Sequence, residues 1–236
     1  MRDRWMIASS LFSLALASSL IAQPTALEEG VRLIREKRFD QALAKLEQAH
    51  RIAPRNASIE NLLGITETQL GRVDDADNHY RNAIRLDPLQ PSPHRNLGFN
   101  LLNEKDFSHA ESALREASRL DPSDKFAHYY LLLLALATSR DAEALAHAPG
   151  AGNLVDNDAE AGAELIEAEI RMGRADEAAS RIEALEQANQ LPAAREYAIA
   201  VLLSQRGIHG EAVHCFRRIS TLDPSWESLF SARLVS

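Results

Sequence analysis

The chain has 236 residues, 45% of them hydrophobic and 25% charged, which excludes a disordered polypeptide. A formal net charge of −8 argues against a basic face for phosphates, so nucleic-acid binding is not expected. One cysteine, Cys215, rules out an intramolecular disulfide and a zinc site built on cysteines.

The first residues, MRDRWMIASSLFSLALASSLIAQP, place Arg2 and Arg4 before an apolar stretch from Trp5 to Ala22, followed by Gln23 and Pro24. Basic residues, then an apolar core, then small residues is the order of a secretory signal peptide. The expected segment is residues 1–22, with cleavage after Ala22; Ala17 is an alternative, because Leu20 is not small. An uncleaved N-terminal anchor is the other reading. In either case the body is expected to be exported, to a bacterial periplasm or the cell exterior.

From Gln23 onward alanine and leucine dominate, and strand-like runs of Val, Ile and Thr are missing, so the body is expected to be helical. The phrase AIRLDP, Ala83 to Pro88, returns as ASRLDP 34 residues later and as ISTLDP 102 residues after that, three times the same spacing. Aligned on this period, one column reads Ala42, Ala76, Ala110, Ala144, Ala178, Ala212. Four residues on, another reads Leu46, Tyr80, Leu114, Ala148, Ile182, Phe216. A third reads Gly30, Gly64, Gly98, Leu132, Ile166, Ala200, and the closing column carries Pro54, Pro88, Pro122 and Pro224. Thirty-four residues suffice for two helices of three to four turns and two short connections. Glycine in the first helix and alanine in the second let the backbones approach. The proline marks the end of each hairpin, since it lacks the N–H a helix interior needs. Gly71, Gly173 and Gly207 share a column between the two helices, where a left-handed helix-ending residue is wanted.

These columns resemble the tetratricopeptide repeat, whose signature is Leu-Gly, then Ala, an aromatic four residues on, and Pro. The resemblance implies an all-α fold, a right-handed α-solenoid of six antiparallel helix pairs. The units are 23–56, 57–90, 91–124, 125–158, 159–192 and 193–226, with a short C-terminal cap at 227–236. Asn56, in the glycosylation triplet NAS, falls in a loop between units. The fourth unit departs from the pattern. Leu132 stands in the glycine column, and HAPGAGN puts Pro149, Gly150 and Gly152 in the second helix, which is expected to stop near Ala148. Between Asp141 and Gln190 there are 12 acidic and 3 basic residues, read as a solvated helix surface.

Motifs for catalysis or nucleotide binding (P-loop, GxGxxG, HExxH, GxSxG) are missing, so no catalytic, cofactor or metal residue is assigned and the chain is not read as an enzyme. His94 and His128 share a column without a third ligand in the spacing. His214 and Cys215 are adjacent, and adjacent helix residues do not face each other, so both are read as structural. The resemblance implies instead a protein- or peptide-binding groove lined by first helices, here Asn61, Ile65, Arg95, Phe99, Leu102, Tyr129 and Leu133. Arg95, Phe99 and Tyr129 would form its centre, with the Tyr129 hydroxyl free. Leu27, Val31 and Ser92 stand where family members that clamp a C-terminal carboxylate need polar or basic groups, so that mode is rejected. The expected role is a non-enzymatic binding scaffold in the cell envelope. It would touch membrane only through its N-terminal segment before cleavage. The alternative is a signal-anchored structural subunit packed permanently in an envelope assembly.

Overall fold

The computed structural model describes residues 25–222, where the chain forms thirteen α-helices and no strand. The expected signal segment and C-terminal cap lie outside the described residues. The described residues divide into two compact units, with the boundary between Asp87 and Pro88. The first contains α1 (Ala26–Arg35), α2 (Phe39–Ile52), α3 (Ala57–Gln69) and α4 (Val73–Leu86). The second contains α5 (Pro91–Asn103), α6 (Phe107–Leu120), α7 (Lys125–Ala137), α8 (Asp141–Ala151), α9 (Asn153–Asp156), α10 (Ala159–Arg171), α11 (Ala175–Gln187), α12 (Ala193–Gln205) and α13 (His209–Leu222). With α9 set aside as an extra turn, these are six helix pairs, an all-α fold of the helical-repeat solenoid class.

One turn chemistry ends all six first helices. Lys37, Gly71, Lys105, Ser139, Gly173 and Gly207, spaced by 34, all have positive φ between 55° and 78°. The N–H of the next residue then returns to a carbonyl five residues back, as Asp106 N to Leu101 O at 2.9 Å and Arg140 N to Ala135 O at 2.8 Å. This left-handed residue satisfies carbonyls that the helix end would otherwise orphan. Three of the six are not glycine, so this turn is more regular than its glycine column suggests. Helix starts are also local: Asn56, Asp124 and Asp158 accept backbone N–H groups at the N-termini of α3, α7 and α10. The Asn56 side chain is thus a helix cap.

The alanine column is the floor of every hairpin, with all six members 0–2% exposed. The glycine column receives the side chain sixteen positions later. A Cβ on Gly30 would lie 2.7 Å from Leu46, on Gly64 2.5 Å from the Tyr80 ring, and on Gly98 2.6 Å from Leu114. Glycine here makes room for one specific large residue rather than only a general backbone approach.

The fourth repeat corrects an expectation. Its second helix does not stop near Ala148; α8 continues through Pro149 to Ala151 and breaks at Gly152, φ 57° and ψ −138°. Proline removes one backbone hydrogen bond, but small neighbours at Ala148 and Gly150 let the helix pack closely and continue. A Cβ on Gly150 would lie 2.5 Å from the His128 ring. Leu132 and Ala148, sixteen apart like Gly98 and Leu114, pack in one core, so the large and small members of these columns have changed helices. The added turn α9 then inserts Val155, 1% exposed, into the same core.

The two histidines that share a column have one structural task. The Nε2 atoms of His94 and His128 lie 3.1 Å from the carbonyls of Pro88 and Pro122, six residues earlier, tying each first helix to the loop before it.

Candidate functional site

Successive first helices α5 and α7 bring together most of the expected groove residues. Phe99, Leu102, Tyr129 and Leu133 are half-buried, and Arg95 keeps 25% of its side chain exposed. Ile65, in the first unit, is also half-buried, whereas Asn61 is buried at 8% exposure. The column Val31, Ile65, Phe99, Leu133, Glu167, Val201 is half-buried at all six positions. Side chains 34 apart occupy equivalent positions on equivalent helices, which explains the uniformity.

Two members of this face hold the N-terminus of the next first helix. Arg95 Nη1 donates to Asp124 Oδ2 at 2.6 Å, while Asp124 Oδ1 caps α7. One repeat on, the Tyr129 hydroxyl donates to Asp158 Oδ2 at 2.5 Å, while Asp158 Oδ1 caps α10. Both pairs are separated by 29 residues. The Tyr129 hydroxyl is therefore not free, which corrects the expectation. A capping carboxylate has a second oxygen directed away from its own helix, and the preceding repeat supplies a donor to it. Burial, and then the Asp158 carboxylate, push the Tyr129 phenol above its ordinary range.

The aromatic part of the face is larger than the repeat columns suggest. The Phe99 and Tyr130 rings lie 4.9 Å apart, Tyr130 neighbours Phe126 at 6.3 Å and Tyr129 at 5.7 Å, and the Arg95 guanidinium is 5.7 Å from the Phe126 ring. Sequence reasoning missed Tyr130 and Phe126. Their signal lies in KFAHYY, at positions that the groove columns do not include. Phe126 is 48% exposed and forms the rim of the cluster. Burial also raises the Tyr130 phenol.

Beyond this aromatic floor the surface becomes ionic. Arg195 reaches Glu160, Glu164 and Glu167, and Arg171 holds Asp141 Oδ2 at 2.7 Å while also meeting Glu167. Many acidic residues of the 141–190 segment are thus paired, rather than simply solvated. No described helix is long and apolar enough to cross a membrane.

Paired helices of this length, a buried alanine floor and a repeating half-exposed face define a tetratricopeptide-repeat protein. Residues 33–95 match the tetratricopeptide repeat family model. Residues 97–232, more than half of the chain, match the family described as T7SS, ESX-1 secretion system protein EccA1, N-terminal domain, and the chain belongs to that family. No curated protein matches it in sequence. Solved structures share its fold at low identity. A Pseudomonas aeruginosa pilF structure is 19% identical over 88% of this chain and 96% of its own, with a TM-score of 0.67. YrrB, a TPR protein with an unusual peptide-binding site, is 18% identical over 80% of this chain and 97% of its own, with a TM-score of 0.69. A thermophilic TPR protein of Thermus thermophilus, TTC0263, is 24% identical over 75% and 97%, with a TM-score of 0.53.

Proposed function

We propose that this protein is an exported, non-enzymatic scaffold that binds a peptide or protein segment on the first-helix face of its second unit. Tetratricopeptide repeats are protein-interaction scaffolds, and the observation that carries this reading is the half-exposed cluster of Arg95, Phe99, Leu102, Tyr129 and Leu133 on α5 and α7. Aromatic and arginine side chains contribute most strongly to protein interfaces, because they combine large contact area with polar edges. Here they are held by Asp124, Asp158 and Tyr130, so a partner would meet a face that is already ordered. Leu133 and Phe99 offer apolar contact one repeat apart, and the Arg95 guanidinium offers the charged edge. The family's description as a secretion-system protein supports work beside protein export, and the order of residues 1–22 supports a place in the envelope.

A photo-reactive amino acid at position 99 or 133 is expected to cross-link a partner in intact cells, whereas the same residue at exposed Ser112 on α6 is expected to capture none. Capture from 112 alone would move the binding face to the second helices. Fractionation with N-terminal sequencing checks the location: Gln23 as the first residue outside the cytoplasm supports export, and intact Met1 in the cytosol overturns it.

A further inference from the structure

Three helices of the last two repeats converge on a group of side chains that the binding face does not use. Glu186 on α11, Glu196 on α12 and Cys215 on α13 each place one ligand atom within 4.8 Å of the others. Glu196 and Cys215 are both 0% exposed, and 11% of the Glu186 side chain is exposed. Their outer partners are in place. Arg218 pairs with Glu196 Oε2, and His214 Nε2 lies 3.0 Å from Glu186 Oε2. The second oxygens of the two carboxylates, Glu196 Oε1 and Glu186 Oε1, are buried and have no hydrogen-bond donor, and Glu186 is one of the groups that raise Glu196. A buried carboxylate oxygen without a donor is costly, and here there are two beside a thiol. A cleft of about 470 Å³, lined by Glu186, His214 and Cys215 among others, lies beside the cluster.

We propose that Glu186, Glu196 and Cys215 bind a divalent cation of the zinc type. The donor set selects the metal: one thiolate with two carboxylates suits Zn²⁺, Co²⁺ or Cd²⁺ and not the oxygen-seeking Mg²⁺ or Ca²⁺. Tetrahedral zinc with bonds of about 2.0–2.3 Å sets its ligands roughly 3.4 Å apart, so modest rotation of the two glutamates closes the site. A water entering from the cleft beside Glu186 and Cys215 would be the fourth ligand. Arg218 and His214 hold Glu196 Oε2 and Glu186 Oε2, as second-layer partners do in metal sites. On binding, the thiol loses its proton to solvent as the sulfur–metal bond forms, and so does Glu196 in the fraction of chains where it is protonated. Two carboxylates, one thiolate, the guanidinium and the cation then sum to zero charge. Without a cation, burial and the two carboxylates push the Cys215 thiol up to about 12, and burial pushes Glu196 up to about 7. Residue spacing along the chain could not indicate this site, because its ligands come from three helices and the adjacent His214 acts only through Glu186.

The experiment is titration of the chelator-stripped full chain with Co²⁺ and Zn²⁺. Cys215 is the only cysteine, so a thiolate-to-cobalt charge-transfer band in the near ultraviolet can arise from this site alone. One Co²⁺ per chain with that band, displaced by one Zn²⁺, is expected. Glu186→Gln and Cys215→Ser should each weaken Zn²⁺ binding at least tenfold, and Cys215→Ser should abolish the band. Absence of the band in the wild type overturns the site even if a variant fails to fold. So does unchanged Zn²⁺ affinity in a folded Cys215→Ser chain. A higher melting temperature for Glu196→Gln, with no response to Zn²⁺ in the wild type, would show that the carboxylates share a proton instead.

Discussion

In the third repeat the small partner is Gly98 on the first helix and the large one is Leu114 on the second; in the fourth, Leu132 and Ala148 exchange these sizes. Both arrangements fill the same space between two helices. The third repeat does so with ordinary helices of 13 and 14 residues. The fourth shortens its second helix to 11, carries a proline within it, and adds Gly150 against His128 and Val155 from α9. What is held constant between repeats is the filled volume at the helix contact, rather than residue identity at a column, as close packing requires.

The largest effect should come from breaking the match in the third repeat alone. Gly98→Leu drives side-chain carbons into Leu114 and is expected to cost about 3 kcal/mol or more in urea unfolding. Adding Leu114→Ala copies the fourth repeat and should recover at least half of that loss; no recovery would mean that the two contacts are not equivalent. Next is the floor that both repeats share. Ala110→Leu should cost about 1–3 kcal/mol, whereas Ser112→Leu, on the exposed side of α6, should stay within about 0.5 kcal/mol.

Gly150→Ala should have a smaller effect, about 1 kcal/mol by thermal unfolding, because a single methyl then displaces the His128 ring from its Pro122 carbonyl. Its cost should vanish in a His128→Ala background. The shared turn should respond in the other direction. Lys105→Gly and Ser139→Gly each relieve a left-handed non-glycine residue and should add up to about 1 kcal/mol, equally in the two repeats.

The smallest expected effect is a pH dependence that the fourth repeat has and the third lacks. His147 Nδ1 lies 3.1 Å from His128 Nδ1, and burial, then that neighbour, hold His147 below the usual 6.5. The unfolded chain therefore binds this proton more readily. The stability contributed by neutral His147 is present above pH 6.5 and is lost as pH falls through its lower folded value. His147→Gln should flatten that part of the stability profile. The third repeat has Ala113 at the equivalent position and contributes no such step.

The features legible in the sequence were those that repeat. Six helix pairs, the buried alanine column, the glycine turns and the helix-ending prolines each follow from local backbone rules applied every 34 residues. The half-buried face on α5 and α7 was legible for the same reason, since one column is one position on one helix face. Tertiary structure alone decided which side chains meet between helices. It gave the Tyr129 hydroxyl to Asp158, packed Ala148 in one core with Leu132 and carried α8 through Pro149. It also turned Glu186, Glu196 and Cys215 toward one another from three helices. A period specifies where a residue stands on its own helix. The direction and reach of its side chain toward the next helix depend on how the pairs pack, and that packing balances volumes and charges contributed by residues far apart in the chain.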